Sequence, residues 1–463
     1  MEGQDARPRG FRARIFESYY RTTGRGAILD DLERAERLHH SPREEQEQAL
    51  RRDLAGLLAH ASGTVPYYRE LLSGTTPTEA NAHELLRRLP VLTKDIIRRE
   101  GARLISERPG HRTFWNTSGG STGEPVRLLQ DIEMKRASRT FELLFMRWAG
   151  HRWGEPHVLV WGVPADAFGE SVPLRERLFR LVHRETYLNC YRITDELLDE
   201  WIGRIDTLRP TLIEAYVDAM YELAVRVNKA GRKVHRPRGI ITSAGVLTER
   251  ATEAITQAFG CPILNRYGSR EVSNVACSCG TGRGLHVNDP FTYVEVVDDA
   301  GEPCPPGVEG TILITLFANR TMPLLRYRIE DRGVWDDGPC PCGRTSRRLA
   351  SIAGRTNDHL LAADGTRING VALTTYTALT ALMHKANGIR LFQYRQTERG
   401  RVTLAVVPVP EADPVALTRA LGDAVAGIEP MLRGLKVDVQ VESDIAPSGS
   451  GKFRFIRNEI KDA

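Results

Sequence analysis

The sequence lacks the features that mark a membrane or secreted protein. No apolar run in its 463 residues reaches the ~18 to 20 residues that a bilayer-spanning helix needs. Residues 1–14 mix Asp, Arg, Pro and Gly and do not contain the apolar core of a secretory signal. We therefore expect a soluble protein of the reducing cytoplasm with no membrane partner.

Cysteine and net charge are also low. Seven cysteines in a chain of this length are far below the density of a disulfide-stabilised protein. The formal net charge of +5 is too dilute to indicate a nucleic-acid partner, although it would suit a small anionic substrate. Hydrophobic residues at 41% and charged residues at 27% argue for a folded globular protein and against the disordered and fibrous classes.

Sequence patterns divide the chain into three parts. Residues 1–105 are rich in helix formers, and Thr93 is suited to cap a short helix. Residues 106–355 alternate short apolar strands with helices of about 10 to 15 residues, which is typical of βαβ units with a parallel sheet, and then become β-rich. Residues 356–463 contain a small β-β-α-β unit, and the boundary is expected near 355–359. The predicted strands include 157–161, 211–215, 239–242, 262–265 and 324–327.

The strongest local motif is the segment 117–125, with the sequence TSGGSTGEP. Three glycines and four hydroxyl side chains within seven positions allow backbone amides and hydroxyls to turn toward an anion. The segment lies between two strand-like stretches, 112–115 and 126–129, which favours a phosphate loop over a flexible linker. It lacks the Gly-Lys-Ser/Thr sequence of the nucleotide-kinase P-loop.

This loop and four further motifs, in the same order, resemble the adenylate-forming superfamily of acyl-CoA synthetases, aryl-CoA synthetases and peptide-synthetase adenylation domains. The closer resemblance is to its phenylacetate–CoA ligase-like branch. The resemblance implies an α/β fold with a large N-terminal adenylate-forming domain, built of βαβ layers and a β-rich subdomain. A small, mobile α+β C-terminal lid domain would follow. The four further motifs are 265–271 (NRYGSRE), 325–331 (LRYRIED), 354–358 (GRTND) and 447–454 (PSGSGKFR). The resemblance to the branch also rests on 61–69 (ASGTVPYYR) and 89–94 (LPVLTK).

The resemblance implies that the protein activates a carboxylic acid with ATP. The acid would attack the α-phosphate to give an acyl-adenylate and pyrophosphate, and the acyl group would pass to a thiol, coenzyme A being the family's usual acceptor. Lys452 would bridge the carboxylate and the α-phosphate, and the catalytic Glu271 would bind Mg²⁺. Tyr267 would stack on adenine, and Asp331 would accept hydrogen bonds from the ribose hydroxyls. The expected ATP-binding residues are Thr117, Ser118, Gly119, Gly120, Ser121, Thr122, Gly123, Ala244, Gly245, Arg266, Tyr267, Gly268, Ser269, Asp331 and Arg355.

The same resemblance places the hinge of the lid at Asp358 and the acyl pocket at Trp161, Gly162, Tyr216 and Ala244. Trp161 and Tyr216 could hold a flat ring between them, but both could equally be core aromatics. An aryl or arylacetic acid is expected mainly from the family similarity. No residue demands coenzyme A, so a carrier protein, an amine or a hydroxyl stays open as the acceptor. A zinc-stabilised module that binds nucleotide without turnover is the alternative from another class.

Two positions depart from the family pattern. Arg270 precedes Glu271 where relatives usually carry Ser or Thr, and Glu124 stands in the phosphate loop where many carry Lys. A large cation beside the magnesium ligand could contact phosphate or substrate, or could weaken metal binding. Glu124 removes one positive charge near the triphosphate. We interpret both positions as adjusting the reaction rather than carrying it.

Cysteine and histidine residues are spaced for a metal site. Cys277 and Cys279 are followed by His286, and Cys340 and Cys342 come about 60 residues after the first pair. Three thiolates and one imidazole would complete a tetrahedral structural Zn²⁺ site. The expected ligands are Cys279, His286, Cys340 and Cys342, with Cys277 in reserve. The ion would hold two loops together near the adenine motif; free buried cysteines are the alternative.

Overall fold

The computed structural model covers most of the chain. It describes residues 11–117, 126–162, 174–190, 192–245, 247–281, 284–289, 291–353, 360–368, 389–408, 412–432, 434–445 and 456–460. In these ranges no helix has both the length and the apolar character that crossing a membrane requires.

The N-terminal part is helical, as predicted. Pro42 separates the second helix from the third, because the residue before a proline is pushed into an extended conformation. Thr93 caps the sixth helix by accepting a hydrogen bond from the Ile96 amide, which confirms the predicted cap. The helices are α1 (Phe11–Thr22), α2 (Gly26–His40), α3 (Arg43–Thr64), α4 (Pro66–Leu71), α5 (Ala82–Arg88) and α6 (Lys94–Glu100).

A short hairpin follows and flanks the phosphate-loop segment. Its strands are β1 (Phe114–Thr117) and β2 (Arg127–Gln130), which pair antiparallel with Thr117 opposite Arg127. Both predicted strand-like stretches are therefore strands, each shifted by one or two residues. The segment between them, 118–125, lies outside the described residues.

The centre of the molecule is one large mixed sheet. Its parallel half contains β3 (His157–Trp161), β4 (Glu185–Asn189), β6 (Leu212–Tyr216), β7 (Gly239–Ser243) and β8 (Ile263–Ser269). Its antiparallel half contains β9 (Ser273–Cys277), β10 (Leu285–Val287), β11 (Thr292–Val297), β12 (Glu309–Leu316), β13 (Tyr327–Asp336) and β14 (Arg348–Ala353). The spatial order is β11-β12-β13-β14-β10-β9-β8-β7-β6-β3-β4. This arrangement confirms the predicted α/β class.

Helices cover both faces of the parallel half. Ile240 packs with the residues of α9 and α10, whereas the next residue, Ile241, packs with α1, α2 and α7 on the other face. Alternate strand residues thus enter different cores, as the pleat of a strand requires. The helices are α7 (Ile132–Trp148), α8 (Leu174–His183), α9 (Asp195–Leu208), α10 (Val217–Lys229) and α11 (Glu249–Phe259).

The C-terminal part contains its own sheet and its own apolar cluster, which includes Phe392, Tyr394 and Leu417. Its strands are β17 (Ile389–Glu398), β18 (Arg401–Pro408), β19 (Lys436–Val441) and β20 (Ile456–Asn458), in the order β19-β18-β17-β20, with α12 (Pro414–Leu432). The predicted β-β-α-β unit is present. A three-stranded sheet of β5 (Arg192–Ile193), β15 (Leu360–Leu361) and β16 (Arg367–Ile368) precedes it. The division into three domains and the mobility of the last one stay predictions.

One predicted strand is wrong. Residues 324–326 form a buried turn, and β13 begins only at Tyr327. Arg326 has a φ of 52°, a left-handed conformation that is incompatible with a strand. The apolar composition of this turn reflects its burial and not an extended backbone.

Candidate active site

The predicted acyl and nucleotide residues meet at one edge of the large sheet. Trp161, Tyr216 and Ala244 lie at or just beyond the carboxyl ends of β3, β6 and β7, and Tyr267 lies near the end of β8. The carboxyl ends of parallel strands form a common crevice, which is where open α/β sheets bind ligands. The fold therefore brings together residues that are more than 100 positions apart in the sequence.

The two residues expected around the nucleoside are in direct contact. The Tyr267 hydroxyl donates a hydrogen bond of 2.9 Å to Oδ2 of Asp331, which lies on β13. Glycine is required beside them, because a Cβ on Gly268 would lie 2.1 Å from the carbonyl oxygen of Ser273. This close approach lets β8 turn directly into β9 and orients Tyr267 toward Asp331.

The turn after β8 is tied to the base of the phosphate-loop hairpin. Gln130 and Asn116 donate through their side-chain amides to the carbonyl oxygen of Arg270, at 3.0 and 3.3 Å. Nη2 of Arg270 in turn donates to Oδ1 of Asn116 at 2.7 Å and to Oγ1 of Thr117 at 3.3 Å. The predicted magnesium ligand Glu271 is the next residue and is buried. These contacts hold Glu271 and the first residue of the phosphate loop in one unit.

Trp161 and Tyr216 lie side by side. Their ring centroids are 4.1 Å apart, and the ring planes are tilted by 48°. Two rings in contact leave no space for a third, so the expectation of an aromatic substrate held between them is wrong for this arrangement. Behind them, a Cβ on Gly245 would lie 3.1 Å from Cβ of Val217, and Ala244 has a φ of 63°. The backbone just after β7 is therefore closely packed against Val217.

Arg266, predicted among the ATP-binding residues, directs its side chain elsewhere. Nη1 donates to Oε2 of the buried Glu214 at 2.8 Å, and the guanidinium lies 5.5 Å from the centroid of the Trp161 ring. Neighbouring strand residues point to opposite faces, so Arg266 faces away from Tyr267. Burial raises the pKa of Glu214, and the charge of Arg266 opposes this effect. Nothing in the sequence pairs Glu214 with Arg266, because the two are brought together only by the sheet.

The four predicted zinc ligands come together. One donor atom from each of Cys279, His286, Cys340 and Cys342 lies within 4.8 Å of all the others. Sγ of Cys279 is 3.5 Å from Sγ of Cys340, and Sγ of Cys342 is 3.3 Å from Nε2 of His286. Cys277, the reserve ligand, is instead fully buried in the apolar cluster that contains Leu264 and Ile241.

Ser346 and His39, which sequence reasoning missed, support this cluster. Nδ1 of His286 is 3.1 Å from Oγ of Ser346, and the same hydroxyl is 2.8 Å from Nδ1 of His39 on α2. Burial lowers the pKa of His39 to about 3, so its ring is neutral. The backbone amide of Thr345 also donates to the carbonyl oxygen of His39 at 2.8 Å. The N-terminal helices are thus fixed against the cysteine loops.

Several predicted site residues lie outside the described residues. These are the catalytic Lys452, the hinge Asp358, and the ATP-binding Arg355, Ser118, Gly119, Gly120, Ser121, Thr122 and Gly123. Their roles stay predictions.

Comparison with known proteins agrees with this fold. The family model described as AMP-binding enzyme matches residues 186–316. A phenylacetate-coenzyme A ligase of Thermus thermophilus is 26% identical over 334 residues, 69% of this chain and 72% of that protein. Protein CapK of Staphylococcus aureus is 24% identical over 406 residues, 84% of this chain and 83% of that protein.

The fold itself is that of a 2-hydroxyisobutyryl-CoA ligase solved with 2-HIB-AMP and CoA. That structure superimposes with a TM-score of 0.59 at 19% identity and covers 91% of this chain and 92% of its own. This likeness shows that the two proteins share a fold. The chain is thus similar in sequence to phenylacetate-coenzyme A ligases and to the AMP-binding enzyme family, which supports the resemblance that the sequence motifs indicated.

The contact between Tyr267 and Asp331 leads to a prediction. Tyr267→Phe keeps the ring and removes only the hydroxyl that orients the carboxylate. We expect AMP and adenosine to bind about 3- to 10-fold more weakly, as for one hydrogen bond of ordinary strength. Calorimetric titration measures both ligands. Tyr221→Phe on α10 is the matched control, and equal affinities in the two variants would contradict the role of the contact.

Proposed function

We propose that the protein activates a carboxylic acid with ATP, forming an acyl-adenylate and pyrophosphate, and then transfers the acyl group to coenzyme A. The observation that carries the proposal is the arrangement at the carboxyl edge of the sheet. The Tyr267–Asp331 pair would hold the nucleoside there, and Glu271 and Thr117 are tied into one unit beside it. An acid-thiol ligase of the AMP-forming type needs these groups around one reaction centre.

The relatives support coenzyme A as the acceptor and an arylacetic acid as the substrate class. Phenylacetate-coenzyme A ligases of Thermus thermophilus and Pseudomonas putida are 26% and 25% identical to this chain. The contact between Trp161 and Tyr216 means that an aromatic acid would occupy a space beside these rings and not between them. A carrier protein or an amine is the second candidate acceptor, and location in the cytoplasm stays a prediction.

Two metal ions belong to the proposal. Mg²⁺ favours few carboxylates together with phosphate oxygens, so the single carboxylate of Glu271 beside the triphosphate fits it. When bound, it would neutralise charge on the phosphates. The Cys₃His donor set fits a structural Zn²⁺, because all four ligand positions would be filled by protein. Cys279, His286, Cys340 and Cys342 would hold the zinc and fix the loops against α2.

The activity is tested by measuring pyrophosphate release from ATP and Mg²⁺ across a panel of aryl, arylacetic and aliphatic acids. One series contains coenzyme A and the other does not. We expect release that depends on one class of acid, with a thioester detected by mass spectrometry when coenzyme A is present. Release without thioester would move the acceptor to a carrier protein or an amine. Nucleotide binding without release for any acid would favour the non-catalytic alternative.

The zinc proposal predicts a specific loss of metal. The purified protein should contain one zinc per chain by inductively coupled plasma mass spectrometry, and Cys342→Ser should remove it and lower the thermal midpoint. Ser346→Ala, which removes the hydroxyl that contacts Nδ1 of His286, should weaken zinc affinity about 10- to 100-fold. Cys261→Ser changes a cysteine outside the cluster and should keep the metal. Full zinc content in Cys342→Ser would contradict the ligand set.

A further inference from the structure

The guanidinium of Arg270 is only partly satisfied. Its Nη2 donates to Asn116 and Thr117, at 2.7 and 3.3 Å. Its Nη1 is buried, and it has no hydrogen-bond partner among the described residues. A buried donor without a partner is unfavourable, and more so when the group is charged. Both contacts come from one nitrogen and could also be made by the ammonium group of a lysine, so anchoring the hairpin does not by itself explain why an arginine is present.

Arg270 stands between two parts of the site. Thr117, which it contacts directly, begins the segment predicted to bind the β- and γ-phosphates. Glu271, the predicted magnesium ligand, is its chain neighbour. In the proposed reaction, the α-phosphate and the carboxylate of the acid must come together between these groups.

The charge around Arg270 favours an anion. Glu271 is the negative group next to Arg270, and in the proposed reaction the Glu271 carboxylate would bind Mg²⁺. The phosphate-loop sequence carries Glu124 and no lysine, so it supplies no cation of its own. Guanidinium groups form short, charge-assisted hydrogen bonds with phosphate and carboxylate oxygens.

We propose that Nη1 of Arg270 donates to an anionic oxygen at the reaction centre, on the α-phosphate of the nucleotide or on the carboxylate of the acid. Arg270 is then a substrate-contacting residue that supplies a fixed positive charge. This inference rests on the proposed function, since it needs an acid and a nucleotide in the same site. Arg270 would then bind the substrate, whereas the sequence alone indicated only that it adjusts the reaction.

The test compares Arg270→Ser with Arg270→Lys and the unchanged protein. Binding of adenosine and of AMP is measured by calorimetry, and the KM of the acid is measured by pyrophosphate release. If Nη1 contacts the α-phosphate, Arg270→Ser should weaken AMP binding about 10- to 100-fold and leave adenosine unchanged. If it contacts the carboxylate, the KM of the acid should rise by a similar factor while AMP binding is unchanged. The effects of Arg270→Lys on AMP binding and on the KM of the acid should be intermediate, because the variant keeps the charge and loses the second donor.

Chemical rescue distinguishes a direct contact of Arg270 with the substrate from a role in supporting the hairpin. Free guanidinium ion at tens of millimolar should restore part of the lost AMP affinity or acid KM of Arg270→Ser, and sodium chloride at equal ionic strength should not. Equal weakening of adenosine and AMP, or no change in AMP and acid binding, would overturn the inference and leave Arg270 as a support for the loop. Failure of the unchanged protein to bind AMP or release pyrophosphate would instead overturn the proposed function.

Discussion

Lys452→Ala is expected to lower acid-dependent pyrophosphate release about 10²- to 10³-fold. The lysine is predicted to bridge the carboxylate and the α-phosphate, where negative charge concentrates as the new bond forms. Removing one preorganised donor to such a charge has an effect of this size in other enzymes. ATP affinity should change less than about twofold, because the interaction is strongest in the transition state and weak in the ground state. Stopped-flow or steady-state pyrophosphate assays measure the first quantity, and calorimetry measures the second.

Lys436→Ala is the matched control for this variant. Lys436 is an exposed lysine on β19, in the same C-terminal part of the chain, and its removal should leave both quantities unchanged. Unaltered pyrophosphate release by Lys452→Ala would contradict the assignment of the catalytic lysine. It is also the result expected of a module that binds nucleotide without turnover.

Arg326→Met is expected to destabilise the protein by about 3–5 kcal/mol, the usual effect of breaking a buried ion pair. Arg326 and Glu295 are both almost completely buried, and Nε of Arg326 lies 3.2 and 3.3 Å from the two carboxylate oxygens. Its Nη1 donates to the carbonyl oxygens of Arg87 and Leu89 at 3.0 and 3.1 Å, and its Nη2 donates to that of Gly301 at 3.0 Å. The substitution would leave a buried carboxylate and three carbonyl groups without this donor.

Arg332→Met provides the comparison, because it removes an arginine from an exposed ion pair on β13. The side chains of Arg332 and Glu309 are 43% and 51% exposed, and such pairs contribute about 0–1 kcal/mol. Urea unfolding followed by circular dichroism should show a much larger shift of the transition midpoint for Arg326→Met. Equal midpoints for the two variants would contradict the structural role of Arg326.

The parallel half of the sheet and the site motifs could be predicted from sequence because both depend on local patterns. The strand at 157–161 is found as predicted, since an apolar run between turn residues is typical of a buried parallel strand. Tyr267 and Asp331 were identified by motif, and the structure places them in contact. The four cysteine and histidine ligands were predicted from residue type, spacing and the family resemblance, and the fold brings them together.

What the sequence could not reveal depends on partners that are distant along the chain. The turn at 324–326 is held by Arg326, whose partners come from three other segments, so its apolar composition was misleading. The pairing of Arg266 with Glu214 and of His39 with Ser346 likewise arises only when separate elements pack. The contact between Trp161 and Tyr216 depends on the order of β3 and β6 in the sheet, and no local pattern gives that order.

The central claim is that the acid's own oxygen attacks the α-phosphate. It is tested most directly with an acid identified in the panel and labelled with ¹⁸O in its carboxylate, incubated with ATP, Mg²⁺ and coenzyme A. Our account predicts that one labelled oxygen appears in AMP, since the bond between the acyl carbon and that oxygen breaks during thioester formation. Label in inorganic phosphate, with ADP as the other product, would show attack on the γ-phosphate and would contradict adenylate formation.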